Sequence, residues 1–96
     1  MKKYQVTIDF EWDDSFQKLI PDHRKYIDEL IEKGVVDHYV VTLESQRIWI
    51  TMNAEEKTDI DQYLSKSPLF NYIIYEIDEL LLSDGVTYRL PAVQLN

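Results

Sequence analysis

Cysteine is absent from this chain of 96 residues, so disulfides, thiolate nucleophiles and cysteine-bound metals are excluded. Glycine occurs only twice, at Gly34 and Gly85 in separate predicted turns, which leaves no glycine-rich loop to hold a phosphate. No apolar run approaches the ~20 residues of a membrane helix, and residues 6–9 alternate where a signal peptide would be continuously apolar. These absences predict a soluble protein of the cytoplasm.

Basic residues are also few, with 10 Lys and Arg against 18 Asp and Glu and a net charge of -8. Nucleic acids and anionic membranes would repel such a chain, so neither is an expected partner. Hydrophobic residues make up 45% and aromatic residues 12% of the sequence, which is typical of a globular protein. A domain of this length leaves much apolar surface unburied, which favours association with another subunit.

The spacing of apolar residues predicts six elements. They are a strand over 4–10, a helix over 15–33, strands over 35–44 and 47–52, a helix over 54–66 and a strand within the stretch 67–78. Asp14 and Asn53 are the predicted caps of the two helices, and Gly34 suits the end of the first. Pro68 stops the second helix, and the aromatic and β-branched run behind it favours a strand.

The order β-α-β-β-α-β is that of the split βαβ, or ferredoxin-like, α+β fold. It predicts a four-stranded antiparallel sheet with both helices on one face. Residues 1–82 form this single domain. Residues 83–96 form a tail that is too apolar to stay free, so we expect it to dock on its own domain or on a neighbouring subunit.

Strand parity divides the sheet residues between two faces. The helix-covered face takes Tyr4, Val6, Ile8, Tyr39, Val41, Leu43, Ile48, Ile50, Ile73, Tyr75 and Ile77. The other face takes Gln5, Thr7, Asp9, His38, Val40, Thr42, Trp49, Thr51, Tyr72, Ile74 and Glu76. This second face is too apolar to leave in water and too polar for a dry core. Two such faces packed together would form a barrel-like dimer, so the protein is predicted to be at least a homodimer.

His23 is the most informative single residue, because it lies on the apolar stripe of the first helix. Burial there would lower the pKa of the imidazole, and a neutral imidazole can give or take a proton near pH 7. The competing interpretation is a core histidine whose ring is satisfied by a backbone carbonyl or a tyrosine. On residue type alone, this second interpretation is favoured.

Glu76 is a carboxylate within an apolar strand. Burial would raise its pKa, as acid–base work requires; otherwise it lines the barrel and pairs with Arg47 or Gln5. His38 falls on the opposite sheet face by parity, so the two histidines need not converge. No third ligand accompanies them at helix or strand spacing, and no metal site is predicted.

Gly34, His38 and the strand pair are followed by Pro68-Leu69-Phe70-Asn71-Tyr72 and then by Glu76-Ile77-Asp78. From about Tyr4 to Leu82, this spacing resembles the muconolactone isomerase family of dimeric α+β barrels. The resemblance implies small, cofactor-free subunits that assemble into homodimers or larger rings of dimers. It also implies proton transfer along an unsaturated lactone by one base that can return the proton.

The chain departs from that family at two positions. Asn71 stands where the block usually has proline, and His23 falls near an acidic residue that the isomerase carries on its first helix. A histidine there is similar to other small barrel proteins, including the YciI-like group. The resemblance therefore carries over the fold and the oligomer, and the substrate stays open.

The leading hypothesis is a cofactor-independent isomerase or related lyase that acts on a small unsaturated acid or lactone. His23 would shuttle the proton, while Tyr39 and Glu76 would orient it or polarise the substrate. The alternatives are a non-catalytic oligomeric protein that binds a small molecule, and a cofactor-free monooxygenase of the same fold. A His23 that borders a cavity beside a second polar group would favour an enzyme over a sealed core.

Overall fold

The computed structural model describes residues 1–82, and the predicted docking tail over 83–96 lies outside them. The elements are β1 (Lys2–Phe10), α1 (Asp14–Glu32), β2 (Val36–Thr42), β3 (Arg47–Ala54), α2 (Lys57–Ser65), a 3-10 turn (Phe70–Tyr72) and β4 (Ile73–Glu79). The strands lie in the order β2-β3-β1-β4, and all neighbouring pairs are antiparallel. The predicted ferredoxin-like α+β fold is confirmed, while its assembly into a dimeric barrel stays a prediction.

Both helices pack on one face of the sheet and enclose the core there. The alternate apolar residues of β1 are buried opposite those of β3: Tyr4 with Met52, Val6 with Ile50, and Ile8 with Ile48. The helices supply the rest of the same core, from α1 Phe16, Ile27 and Leu30 and from α2 Ile60 and Leu64. Each such side chain contributes roughly 1.5–3 kcal/mol when fully buried.

A β-bulge in β2 decides which of its side chains face the core. Val36 pairs with Met52 but His38 pairs with Thr51, so one extra residue, Asp37, is inserted between them. Val36 and Tyr39 therefore share the helix-covered face although they are three residues apart. Lys3 and Asn53 both bond the Asp37 side chain and hold the bulge in place.

The residues that cap the two helices differ from those predicted from the sequence. Asp13, not Asp14, caps α1, since its carboxylate accepts the backbone N–H of Phe16. Asn53 does not cap α2, because β3 continues through Ala54 in pairing with β1. Glu56 takes that role through a capping box with Asp59.

Tyr72 was predicted to lie on the second face of the sheet, but it precedes the last strand. Tyr72 ends the 3-10 turn and β4 begins at Ile73. Leu43 is also misplaced by parity, because it lies beyond the end of β2 in the turn to β3 and is 67% exposed. Among residues 1–82, no helix is both long enough and apolar enough to cross a membrane.

Candidate functional site

A hydrogen-bonded network of His23, Tyr39 and Ser67 joins three parts of the fold on the helix-covered face of the sheet. His23 on α1 is only 5% exposed, and its Nδ1 atom lies 2.7 Å from the hydroxyl oxygen of Ser67. Its Nε2 atom lies 2.8 Å from the phenolic oxygen of Tyr39 on β2. Both ring nitrogens are thus engaged, which satisfies the polar part of a buried imidazole.

Local structure explains how each member of this group is held. His23 follows Phe16 by seven residues and precedes Ile27 by four, which sets it on the buried stripe of α1. Tyr39 lies on the same, helix-covered side of the sheet, where it pairs with Ile50 of β3. Ser67 follows the end of α2, where its N–H donates to the carbonyl of Leu64.

The network permits either tautomer of the neutral imidazole. In one, Ser67 donates its hydroxyl proton to Nδ1, and Nε2–H donates to Tyr39, whose own O–H is then free for a ligand. In the other, Nδ1–H donates to Ser67 and Tyr39 donates to Nε2. Ser67 already accepts the backbone N–H of Leu69 at 3.1 Å. In the first tautomer the Ser67 hydroxyl also donates its own proton to Nδ1, so this tautomer is assigned to the resting protein.

Burial keeps both titratable groups of the network uncharged at neutral pH. Desolvation, assisted by the positive charge of Arg24, lowers the pKa of His23 to about 4. Desolvation raises the pKa of Tyr39 to about 12, against a smaller opposing effect of Arg24. The expected depression of the His23 pKa is therefore present, and the pair meets a ligand as neutral hydrogen-bonding groups.

A cavity of about 220 Å³, here called the His23 cavity, lies beside this network. Its polar margin is formed by His23, Arg24 and Tyr39. The other lining residues are apolar or aromatic: Phe10, Trp12, Phe16, Ile20, Val41, Ile48 and Leu69. An apolar cavity with a few converging polar groups is the usual form of a small-molecule site.

Stacked aromatic rings form one wall of the His23 cavity. Phe10 and Phe16 are parallel with ring centroids 4.7 Å apart, and Trp12 tilts against Phe16 at 5.9 Å. Trp12 is 45% exposed, so the aromatic wall reaches the surface. This wall suits a flat ligand, since offset and tilted ring contacts add to the burial of apolar area.

A second space of about 200 Å³, the Asp28 cavity, shares the lining residues Arg24 and Tyr39 with the His23 cavity. Arg24 and Tyr39 line it together with Ile27, Asp28 and Ile31 of α1. Tyr39 and Arg24 therefore border both cavities.

The three predicted site residues do not all meet. His23 and Tyr39 are in direct contact, whereas Glu76 is exposed and pairs with Thr7 on the uncovered face of the sheet. His38 is also exposed, opposite Thr51 on that second face. The carboxylate thus belongs to a different surface of the subunit from the imidazole.

Sequence reasoning missed Ser67 and Arg24. The sequence marks Ser67 only as the end of a helix before Pro68, because nothing in a separation of 44 residues indicates contact with His23. Arg24 had a usable signal, namely its position next to the candidate histidine, but its direction toward the cavity depends on the packing of α1.

A third and larger space, of about 460 Å³, lies between the end of β1 and the start of β4. It is lined by Asp9, Phe10, Glu11, Asp13, Asn71, Tyr72, Ile73 and Ile74. Asp9 is already paired with Arg47, and Asp13 caps α1. Within residues 1–82, no three His, Asp or Glu side chains lie close enough together to hold a metal ion.

The architecture and the site together define a ferredoxin-like α+β domain with a small, largely apolar pocket under its first helix. The same fold occurs in muconolactone isomerase: the crystal structure matches with a TM-score of 0.67 and 18% sequence identity, over 86% of this chain and 98% of that one. MtbAldR also matches, with a TM-score of 0.54 and 13% identity, over 86% of this chain and 56% of that one. No protein-family model and no curated protein matches the sequence.

Proposed function

We propose that this protein is a cofactor-independent isomerase, or a related lyase, that moves a proton on a small unsaturated acid or lactone. The observation that carries this proposal is the position of the Tyr39 hydroxyl. Tyr39 lines the His23 cavity, and its hydroxyl oxygen lies 2.8 Å from the buried imidazole, which in turn contacts Ser67. The shared fold with muconolactone isomerase supports the same class of reaction.

Tyr39 is the member of the network that a ligand can reach without breaking it. Both nitrogens of His23 are occupied, so a substrate in the cavity meets the phenolic oxygen first. In the resting tautomer, Tyr39 donates its O–H to a carbonyl oxygen of the substrate. This bond orients the substrate in the cavity before the proton moves.

The proton would move through Tyr39 to His23 in the other tautomer. The phenolic oxygen takes the proton from the substrate carbon as its own hydroxyl proton passes to Nε2, and the reverse transfer delivers a proton to another carbon of the same substrate. The imidazolium formed is held by Nδ1–H donation to Ser67. Its pKa, about 4 in the free protein, would rise beside the anionic intermediate, because an opposite charge favours the protonated form.

Exchange of substrate hydrogen for deuterium tests this reaction directly. A panel of small unsaturated acids and lactones is incubated with the protein in D₂O and followed by proton NMR. We expect deuterium to enter the carbons next to the carbonyl, and Tyr39→Phe and His23→Gln to slow this at least a hundredfold, as the loss of a positioned acid–base group does. Exchange that both variants retain would contradict the proposal.

Glu76→Gln is the matched variant for the other predicted residue. Because Glu76 lies on the uncovered face of the sheet, away from the His23 cavity of its own subunit, the variant should leave the rate of deuterium exchange unchanged. A large loss would instead indicate that the uncovered face contributes to the site.

A second candidate function is ligand binding without chemistry. The low pKa of His23 and its two satisfied ring nitrogens favour this alternative, since such a histidine can serve only to hold Tyr39 in place. Binding of panel members without any deuterium exchange would identify it. Oxygen uptake with quinol-like substrates would identify the monooxygenase alternative.

Self-association through the uncovered face also forms part of the proposal. Val40 and Ile74 are more than half exposed there, and Tyr72 is 42% exposed just before β4. An apolar surface of this kind on a sheet face typically marks an interaction site. A second copy of the same chain would cover it.

A further inference from the structure

Arg24 is the cation at the margin of both cavities. It lines the His23 cavity with His23 and Tyr39, and it lines the Asp28 cavity with Tyr39 and Asp28. Its charge acts on both neutral groups of the network, lowering the pKa of His23 and opposing the rise in the pKa of Tyr39. The guanidinium therefore lies within electrostatic reach of the atoms that meet a ligand.

This guanidinium has no carboxylate partner in the part of the chain that the structure describes. The ion pairs there join Lys2 to Glu79, Lys3 to Asp37, and Arg47 to Asp9. Asp28 lies one helical turn from Arg24 and borders the Asp28 cavity with it, yet its carboxylate oxygens are more than 4.0 Å from the guanidinium nitrogens. Arg24 is exposed and, among residues 1–82, unpaired beside an apolar cavity, so its fork of donors is available to a ligand.

We infer that the His23 cavity selects a small organic monocarboxylate, whose carboxylate binds the Arg24 guanidinium and the Tyr39 hydroxyl and whose apolar body lies against Phe16 and Trp12. This inference names the substrate class for the proposed function and rests on the same site. Neutral lactones and amides of the same shape lack the charge-assisted bond and bind more weakly.

The size of the cavity limits the apolar body. A dry cavity of about 150 Å³ holds one benzene molecule. The His23 cavity, at about 220 Å³, accommodates one six-membered ring or a short unsaturated chain plus a carboxylate at the margin. It lies below the roughly 300–1,000 Å³ of sites for drug-sized ligands.

Fluorescence of Trp12 gives a direct measure of binding, because Trp12 lines the cavity and the chain has only one other tryptophan, Trp49. Trp49→Phe provides a background in which Trp12 alone emits. Benzoate and crotonate are titrated into this protein beside benzamide and crotonamide, their neutral counterparts. We expect the carboxylates to bind at least tenfold more tightly than the amides.

Two substitutions with opposite expected effects on carboxylate affinity test the contact between Arg24 and the ligand. Arg24→Gln should weaken carboxylate binding about tenfold or more and leave amide binding unchanged, since the apolar contacts remain. Asp28→Asn removes a negative charge near the same arginine and should strengthen carboxylate binding a few fold. Arg47→Gln, which removes an arginine already paired with Asp9, should change nothing.

The results separate this inference from the proposed reaction. Equal affinity for acids and amides, unchanged carboxylate binding by Arg24→Gln, or no carboxylate binding at millimolar concentration overturns the inference. Carboxylate binding on Arg24 without deuterium exchange keeps the inference and overturns the isomerase. Exchange in neutral lactones that Arg24→Gln does not alter overturns the inference and keeps the isomerase.

Discussion

The Nε2 atom of His23 lies 2.8 Å from the phenolic oxygen of Tyr39, and the two rings tilt at 49° with their centroids 5.7 Å apart. The contact links the middle of α1 to the strand at one edge of the sheet. Both residues line the His23 cavity.

Tyr39→Phe should destabilise the fold modestly and abolish proton transfer. The variant keeps the ring but leaves Nε2 of His23 without its partner, which costs about 1–3 kcal/mol for a buried group. Urea unfolding measures this loss. Tyr75→Phe is the control, because its hydroxyl donates to the exposed Asp61, and a loss of less than about 0.5 kcal/mol is expected. Equal losses in both variants would show that the buried bond has no special role.

Stability should fall as the pH drops from about 6.5 to 4 because of His23. The unfolded chain binds a proton on this imidazole near its ordinary pKa of 6.5, whereas the folded protein binds it only near 4. Below 6.5 the unfolded state therefore gains protons first, and the folded state loses up to about 3 kcal/mol of relative stability. Above pH 6.5 the effect vanishes.

Comparison with His23→Gln isolates this effect from the carboxylates that titrate in the same range. Urea unfolding of both proteins at pH 7 and pH 4.5 gives the difference, and the variant should show the shallower pH dependence. If the free energy of unfolding changed equally with pH in both proteins, the burial of His23 would be contradicted. An NMR titration of the imidazole provides an independent measure of its midpoint.

Ser67→Ala should cost more than its small size suggests. The substitution removes the partner of Nδ1 of His23 and also the acceptor of the Leu69 N–H, and Ser67 is itself buried. Two buried polar groups would lose a partner, so we expect a loss of about 2–3 kcal/mol by urea unfolding. Ser65→Ala is the control, since that hydroxyl bonds only the exposed carbonyl of Gln62. A loss no larger than the control's would mean that water replaces Ser67.

Ile74→Lys should convert the proposed dimer to a monomer. Ile74 is 76% exposed on the uncovered face, and a lysine there would place two buried charges against each other across a symmetric interface. Light scattering after size-exclusion chromatography measures the mass. Leu43→Lys, at an equally exposed site in the turn after β2, should leave the dimer intact. A wild-type monomer at micromolar concentration would overturn the prediction.

The fold was largely predictable because its signals are local. Alternation in β1 and β3 and the helical stripe of α1 each extend over a few residues, and the alternation places Val6 and Ile50 on the buried face. Helix caps were less predictable. Asp13, Asp14 and Asn53 are all capable caps, and only the strand pairing of Asn53 excludes it from that role.

By itself, the sequence determined that His23 would be buried on an amphipathic helix and that the chain would form a β-α-β-β-α-β sheet domain. Only the tertiary structure decided what His23 meets. Strand parity already placed Tyr39 on the helix-covered face, but its bond to His23 depends on the packing of α1 over β2. Ser67 and Arg24 join because α1 and the end of α2 pack over the same face. Periodicity reports which face of an element is apolar, but contacts between elements depend on packing across residues far apart in the chain.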